Sequence, residues 1–271
     1  MSYQAIPRVL EQQAGAAPPP SFADAVAAVL QCDLPAQRVA QAVTRLGRVP
    51  GQAAVTQDLR GLLALDVGPT AQVFRRLASR QALVDMWNAY NTHGNVQAPS
   101  MLQGQGDGLH CVFRFEQQQA DRTLELMTHV WIEILQGLIQ RRAERAPLSR
   151  PDGSAASLSE LARLMNAGSL VEDACTFFEV RPEAQVPDLA RHLALHPRTL
   201  ARRLDEVGLT PLALKRACAL VGATRDLLET DLSLTTIAAR HGYSDGAHLT
   251  RQVRQATGGF SPSELRRLVR C

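Results

Sequence analysis

Apolar residues recur at helical spacing through most of this chain, with one change of period near the middle. Phe22, Val26, Val29 and Leu30 share a face behind Ser21, which can cap a helix there. Pro35 starts a second stretch, with Val39, Val43 and Leu46 on one face and Gly47 beyond its end. Pro69 opens a third, carrying Val73, Phe74 and Leu77, and a fourth covers roughly Arg80 to Tyr90. The period then drops to two. Leu109, Cys111, Phe113 and Phe115 alternate with His110, Val112 and Arg114, which predicts a strand. Gly104, Gly106 and Gly108 suit a hairpin turn before it, with a partner strand near Val96–Leu102 despite Pro99. Helical spacing returns from Asp121 to Ala143, where Leu124, Met127, Trp131, Leu135, Leu138 and Ile139 form the apolar stripe.

The punctuation divides the chain. Residues 1–20 end in three prolines and read as a flexible arm. Residues 147–157 hold Pro147, Pro151, Gly153 and several serines and read as a linker. The expectation is a mainly α protein. An N-terminal α+β domain with a small sheet spans 21–146, and an all-helical domain spans 158–271.

Two segments of the second domain repeat one plan of helix, tight turn and Arg-rich helix. The first runs from Val186 to Gly208 and the second from Leu234 to Gly258. Each reads as a helix-turn-helix. With Leu200, Leu204 and Val207 inward, about 100° per residue turns Arg198 and Arg202 outward, with Ala201, Thr199 and Arg203 on the flanks. Two arginines one turn apart suit the major groove, because a guanidinium grips O6 and N7 of guanine together. With Leu249, Val253 and Ala256 inward, Ala247, Arg251 and Arg254 face outward beside His248 and Thr250. Gly242 falls where a turn needs positive φ, and Ser244 or Asp245 can cap the helix that follows. Between the units, Pro211 to Glu229 reads as one helix of roughly 28 Å, close to the ~34 Å between successive major-groove faces. The candidate base readers are therefore Arg198, Thr199, Ala201, Arg202, Ala247, His248, Thr250 and Arg251. Arg203, Lys215, Arg216, Ser244 and Arg254 are candidate phosphate contacts. The plain alternatives are solvated arginines on surface helices, or a helical bundle with no role on DNA.

The stretch Pro197-Arg-Thr-Leu-Ala-Arg-Arg-Leu204 with Gly208, the stretch Leu227–Ala238, and His241-Gly-Tyr-Ser-Asp245 with Arg251, Thr257-Gly258 and Ser261-Pro262 resemble the DNA-binding domain of AraC/XylS-type bacterial transcription regulators. The resemblance covers about Gly168 to Cys271. It implies seven helices, two reading helices and a linking helix. It also implies double-stranded promoter DNA and RNA polymerase as partners, and an activator, although the residues do not fix the sign of regulation. The chain departs from the pattern at several positions. Ala219 stands where the linking helix usually carries arginine, with Arg216 one turn earlier. Leu249 and Val253 replace aromatics, and Gly246 and Ala247 replace polar side chains. Residues 22–145 resemble the sensing and dimerisation domain of one branch of the family, through the run Leu77–Tyr90 and the Gly-rich turns and strand after it. That implies a small-molecule effector or a homodimer, and Trp87, Tyr90 and Trp131 are candidates to line an effector pocket.

Composition adds limits. The net charge of +3 is too small to argue for nucleic acid. From Gly168 to Cys271 there are 14 Arg/Lys against 12 Asp/Glu, so any basic footprint depends on placement. Lys215 is the only lysine. Cys32, Cys111, Cys175, Cys218 and Cys271 form no ligand-spaced pair, and an odd scattered set suits a reducing cytoplasm. No leader-like or membrane-spanning apolar run is evident, so a cytoplasmic protein is expected. A DNA-repair alkyl-transfer protein with a similar DNA-binding domain is the enzymatic alternative, but Cys32, Cys111 and Cys175 lie in apolar runs with no activating partner. A constitutive DNA-binding protein whose N-terminal domain only oligomerises is a further alternative. His93, His110 and His129 follow no metal-ligand spacing. No enzyme activity, cofactor or metal is expected.

Overall fold

The computed structural model describes Val9, Gly15 and residues 21–30, 51–93, 100–105, 108–113, 121–144 and 157–270. Most of the arm, the Pro35 helix, the linker, Cys32 and Cys271 lie outside them. Thirteen helices and one two-stranded antiparallel sheet make up the described elements, as the period changes predict.

α1 (Phe22–Leu30) begins at Ser21, whose Oγ accepts from Asp24 N while Asp24 Oδ2 accepts from Ser21 N at 2.9 Å. This reciprocal capping fixes the start of the helix. α2 (Gln52–Leu65) is not foreseen from the sequence, yet Val55, Leu59 and Leu63 recur every fourth residue and are buried. α3 (Pro69–Phe74) is buried along its whole length. α4 (Arg80–His93) begins at Arg80 as expected and ends just before Gly94. β1 (Ser100–Gln105) pairs with β2 (Gly108–Phe113), with Leu102 opposite Cys111 and Gln105 opposite Gly108. β1 thus lies further along than Val96–Leu102. The pairing of Gln105 with Gly108 sets the register, and the strand starts one residue beyond Pro99, which has no N–H to offer a ladder. On the other edge of β1, the Asn88 amide acts as a substitute strand. Its Nδ2 donates to Leu102 O at 2.9 Å, and its Oδ1 accepts from Leu102 N at 2.8 Å. α5 (Asp121–Glu144) packs against α2, and Phe74 meets Trp131 edge to face at 6.2 Å.

α6 (Leu158–Leu164) is followed by seven helices. These are α7 (Ser169–Val180), α8 (Val186–His192), α9 (Pro197–Asp205), α10 (Pro211–Glu229), α11 (Leu234–Arg240), α12 (Gly246–Thr257) and α13 (Pro262–Arg270). Proline in the first turn of α8, α9 and α10 supplies a preset φ where its missing N–H costs nothing. Val207 was expected inside but is 47% exposed. α9 stops at Asp205, Gly208 turns to φ 73°, and Leu209 N returns to Leu204 O at 2.9 Å, so Leu209 takes the buried place.

The core is continuous. One cluster of buried side chains runs from the N-terminal helices through α5 and α10 to α13. α1 and α3 pack on both α10 and α12, and α4 packs on α13. No helix among the described residues is long and apolar enough to cross a membrane.

Candidate nucleic-acid interface

The two helix–turn–helix units close their turns the same way. In the first, Ala194 N donates to Arg191 O at 3.1 Å and Leu195 N to Ala190 O at 2.8 Å, around Ala194 at φ 51°. In the second, Gly242 N donates to Ala239 O at 3.3 Å and Tyr243 N to Ala238 O at 2.9 Å, around Gly242 at φ 72°. Both are left-handed C-terminal caps that satisfy the last carbonyls of α8 and α11. Four residues, Leu193 to His196, separate α8 from α9, whereas five, His241 to Asp245, separate α11 from α12.

α9 is held by Leu200 and Leu204, both fully buried. Its N-terminus is capped by His196, whose Nδ1 accepts from Arg198 N at 3.3 Å. Arg198, Ala201, Arg202 and Arg203 are exposed and Thr199 is half-buried, so the outward face is the one the spacing predicts. Arg202 Nη1 donates to Glu206 Oε1 at 2.6 Å, both side chains being well exposed. The sequence reading missed Glu206, although an acid four residues after an arginine on a helix is a legible pairing signal.

α12 is held by Leu249, Val253 and Ala256, as expected. Asp245, not Ser244, caps it: Oδ1 accepts from His248 N at 2.7 Å, a bond that keeps the Asp245 carboxyl below its usual range. Ser244 Oγ lies 3.3 Å from His248 Nδ1, and the His248 ring meets Tyr243 edge to face at 5.2 Å. Burial pushes the Tyr243 phenol above its ordinary range. Ala247, Arg251 and Arg254 are exposed, while His248 and Thr250 are half-buried. The Thr250 hydroxyl donates to Gly246 O at 2.8 Å, within its own helix.

α10 joins the units as a single helix of 19 residues. Arg216 Nη2 donates to Gln252 Oε1 of α12 at 3.1 Å, and Lys215 Nζ donates to Gln185 Oε1 ahead of α8 at 3.1 Å. These two candidate phosphate cations therefore also tie the linking helix to the two units. Ala219 is buried. On the far side of α10, Asp226 Oδ2 lies 2.9 Å from His241 Nε2 and accepts from Arg240 Nη1 at 3.1 Å. Burial raises the Asp226 carboxyl, but the hydrogen bonds and charges of His241 and Arg240 outweigh it and leave it below its ordinary value. Burial dominates at His241 and lowers it despite Asp226. Gly222 makes room for this ring: a Cβ there would stand 2.7 Å from His241 Cε1. Sequence reading missed this group, whose one visible signal is a glycine inside a long helix.

Of the three candidate pocket residues, the Tyr90 side chain lies outside those described. Trp87 and Trp131 are buried within the core, at 8% and 2% exposure. An open depression of about 660 Å³ lies elsewhere, along α2, lined by Gln52, Ala53, Thr56, Gln57 and Arg60. Cys111, Cys175 and Cys218 are buried. A hydrogen bond to Cys175 and burial together push the Cys218 thiol well above its ordinary value, which opposes thiolate formation.

Comparison with known proteins bears on this half of the chain. A family described as a helix-turn-helix domain matches residues 189–268, from within α8 to within α13 and so across both units. No curated protein matches the chain. Among solved structures, the chain is similar to that of the transcriptional regulator CdpR from Pseudomonas aeruginosa, at 13% identity and a TM-score of 0.32, over 96% of this chain and 97% of that one.

Proposed function

We propose, from the match of residues 189–268 to a helix-turn-helix domain family, that the chain is a sequence-specific transcription regulator of the AraC type that reads double-stranded DNA with α9 and α12. The observation that carries this reading is the pair of outward arginine faces. Arg198 and Arg202 on one helix, and Arg251 and Arg254 on the other, are exposed on helices whose opposite sides are locked into the core. α9 is the fuller reader, with Arg198 and Arg202 for guanine edges. α12 offers Arg251 for a base and the small Ala247 for close approach. On this reading Arg203, Arg254 and the α10 cations Lys215 and Arg216 serve as backbone contacts that set register rather than sequence.

The N-terminal half is the sensing part on this reading, because α1 and α3 seat directly on α10 and α12. The buried thiols disfavour the alkyl-transfer alternative.

The deciding experiment is selection of bound duplexes from a randomised pool, followed by anisotropy titration of the selected site. Arg202→Ala and Arg251→Ala should each weaken specific binding by about 1–3 kcal/mol and relax preference at one position. Specific binding unchanged by both substitutions would refute the assignment.

A further inference from the structure

We infer that Gln72 and Arg76, on and just after α3, are positioning residues for the two DNA-reading units. They act by bracing the linking helix α10 from behind. This inference rests on the DNA-binding reading above.

The brace touches the rod at its middle and at its end. Ala23 of α1 lies 3.4 Å from where a Cβ on Gly208 would stand, just ahead of α10. Gln72 is 4% exposed, and its Nε2 donates to Val67 O at 3.0 Å and to Val221 O, near the middle of α10, at 3.1 Å. Arg76 donates from Nη1 to Gln72 O at 3.1 Å and pairs through Nη2 with Glu229, the last residue of α10. Ala78 N reaches Leu268 O of α13 at 3.4 Å. The middle and the end of the linking helix are therefore held by the N-terminal half.

The middle contact falls where the rod is weakest. Gly222 follows Val221, and a glycine in a helix interior is less stable than alanine because its backbone loses more freedom on folding. That glycine is required, because any Cβ would strike His241. A helix that must carry a soft point is thus given a second, buried hydrogen bond one residue before it. The DNA-facing arginines remain exposed, so the brace leaves the reading faces open while fixing their separation.

The test uses the full chain in five forms: wild type, Gln72→Leu, Arg76→Glu, Glu229→Arg and the double charge swap. Amide hydrogen exchange in the free protein should be about tenfold faster at residues 222–226 in Gln72→Leu and in either single charge variant, and near wild type in the swap. Selection from randomised duplexes should give the wild type one fixed separation of half-sites, give the single variants a spread, and return the swap to the fixed value. If Gln72→Leu fails to fold, the charge series decides alone. Folded variants with unaltered exchange and unaltered half-site separation would overturn the brace. A wild type that selects no paired half-sites would instead overturn the DNA reading, with the exchange result still deciding the brace.

Discussion

His241 Nε2 lies 2.9 Å from Asp226 Oδ2, joining the turn of the second helix–turn–helix unit to the linking helix. The ring is 10% exposed, and it occupies space that only a glycine at position 222 leaves open. Arg240, next to it in sequence, shares the same carboxylate oxygen. This buried imidazole therefore helps set the orientation of the second unit against α10.

Acid should loosen this joint in two steps. His241 in the folded chain titrates below its ordinary 6.5, chiefly through burial, with Arg225 and Arg240 adding to the effect and Asp226 opposing it. The unfolded chain therefore takes up this proton first. The contribution of His241 is complete above about pH 6.5 and is lost as pH falls below that value. Asp226, held below its ordinary 3.8, contributes above that pH and is lost as pH falls further. Urea denaturation from pH 4 to pH 8 should show stability declining below about 6.5, and His241→Gln should flatten that first decline. An unchanged slope in the variant would remove His241 as its source.

Gly222→Ala should destabilise the protein although alanine is the better helix former, because its methyl meets the His241 ring at 2.7 Å. In a His241→Ala background the same change should become stabilising, by about 1 kcal/mol. A double-mutant cycle by thermal denaturation checks this reversal of sign.

The two turn residues should respond in opposite directions. Ala194 holds φ 51° without being glycine, so Ala194→Gly should stabilise by roughly 0.5–1 kcal/mol. Gly242 has φ 72°, and a Cβ there would lie 2.5 Å from Pro182 O, so Gly242→Ala should cost about 2–4 kcal/mol. Equilibrium denaturation of the two variants measures both.

On the proposed reading, Arg202 gives up Glu206 before it grips a base. Glu206→Gln should tighten DNA binding by at most about fivefold, since exposed pairs of this kind are worth up to roughly 1 kcal/mol. The gain should shrink as salt rises. Anisotropy titrations across a salt series would reveal it, and weaker binding by the variant would show instead that the carboxylate helps aim the guanidinium.

The C-terminal helices were legible because their signals are local. Pro211 and Glu229 bound α10 as read, Gly242 has the positive φ its place in the turn demands, and Leu249, Val253 and Ala256 lie inward. Val207 misled because periodicity extends a helix past its true end, and Gly208 ends this one early. Helix α2 is hard to read from its sequence, although its buried positions have clear spacing, because weakly apolar residues and Gly61 dilute its stripe. Contacts between distant segments left no trace in any window: Gln72 with Val221, Arg76 with Glu229 and Asp226 with His241 join residues whose partners only the fold brings near.

The turn of four residues in one unit and five in the other has a consequence for how the molecule would lie on its target. Two units built on one plan, but set with unequal turns and unlike side chains, cannot be exchanged by a rotation. A single chain then has a head and a tail along the duplex. Its site should lack two-fold symmetry, and reversing that site should turn the bound molecule around and present a different side of it to whatever sits downstream.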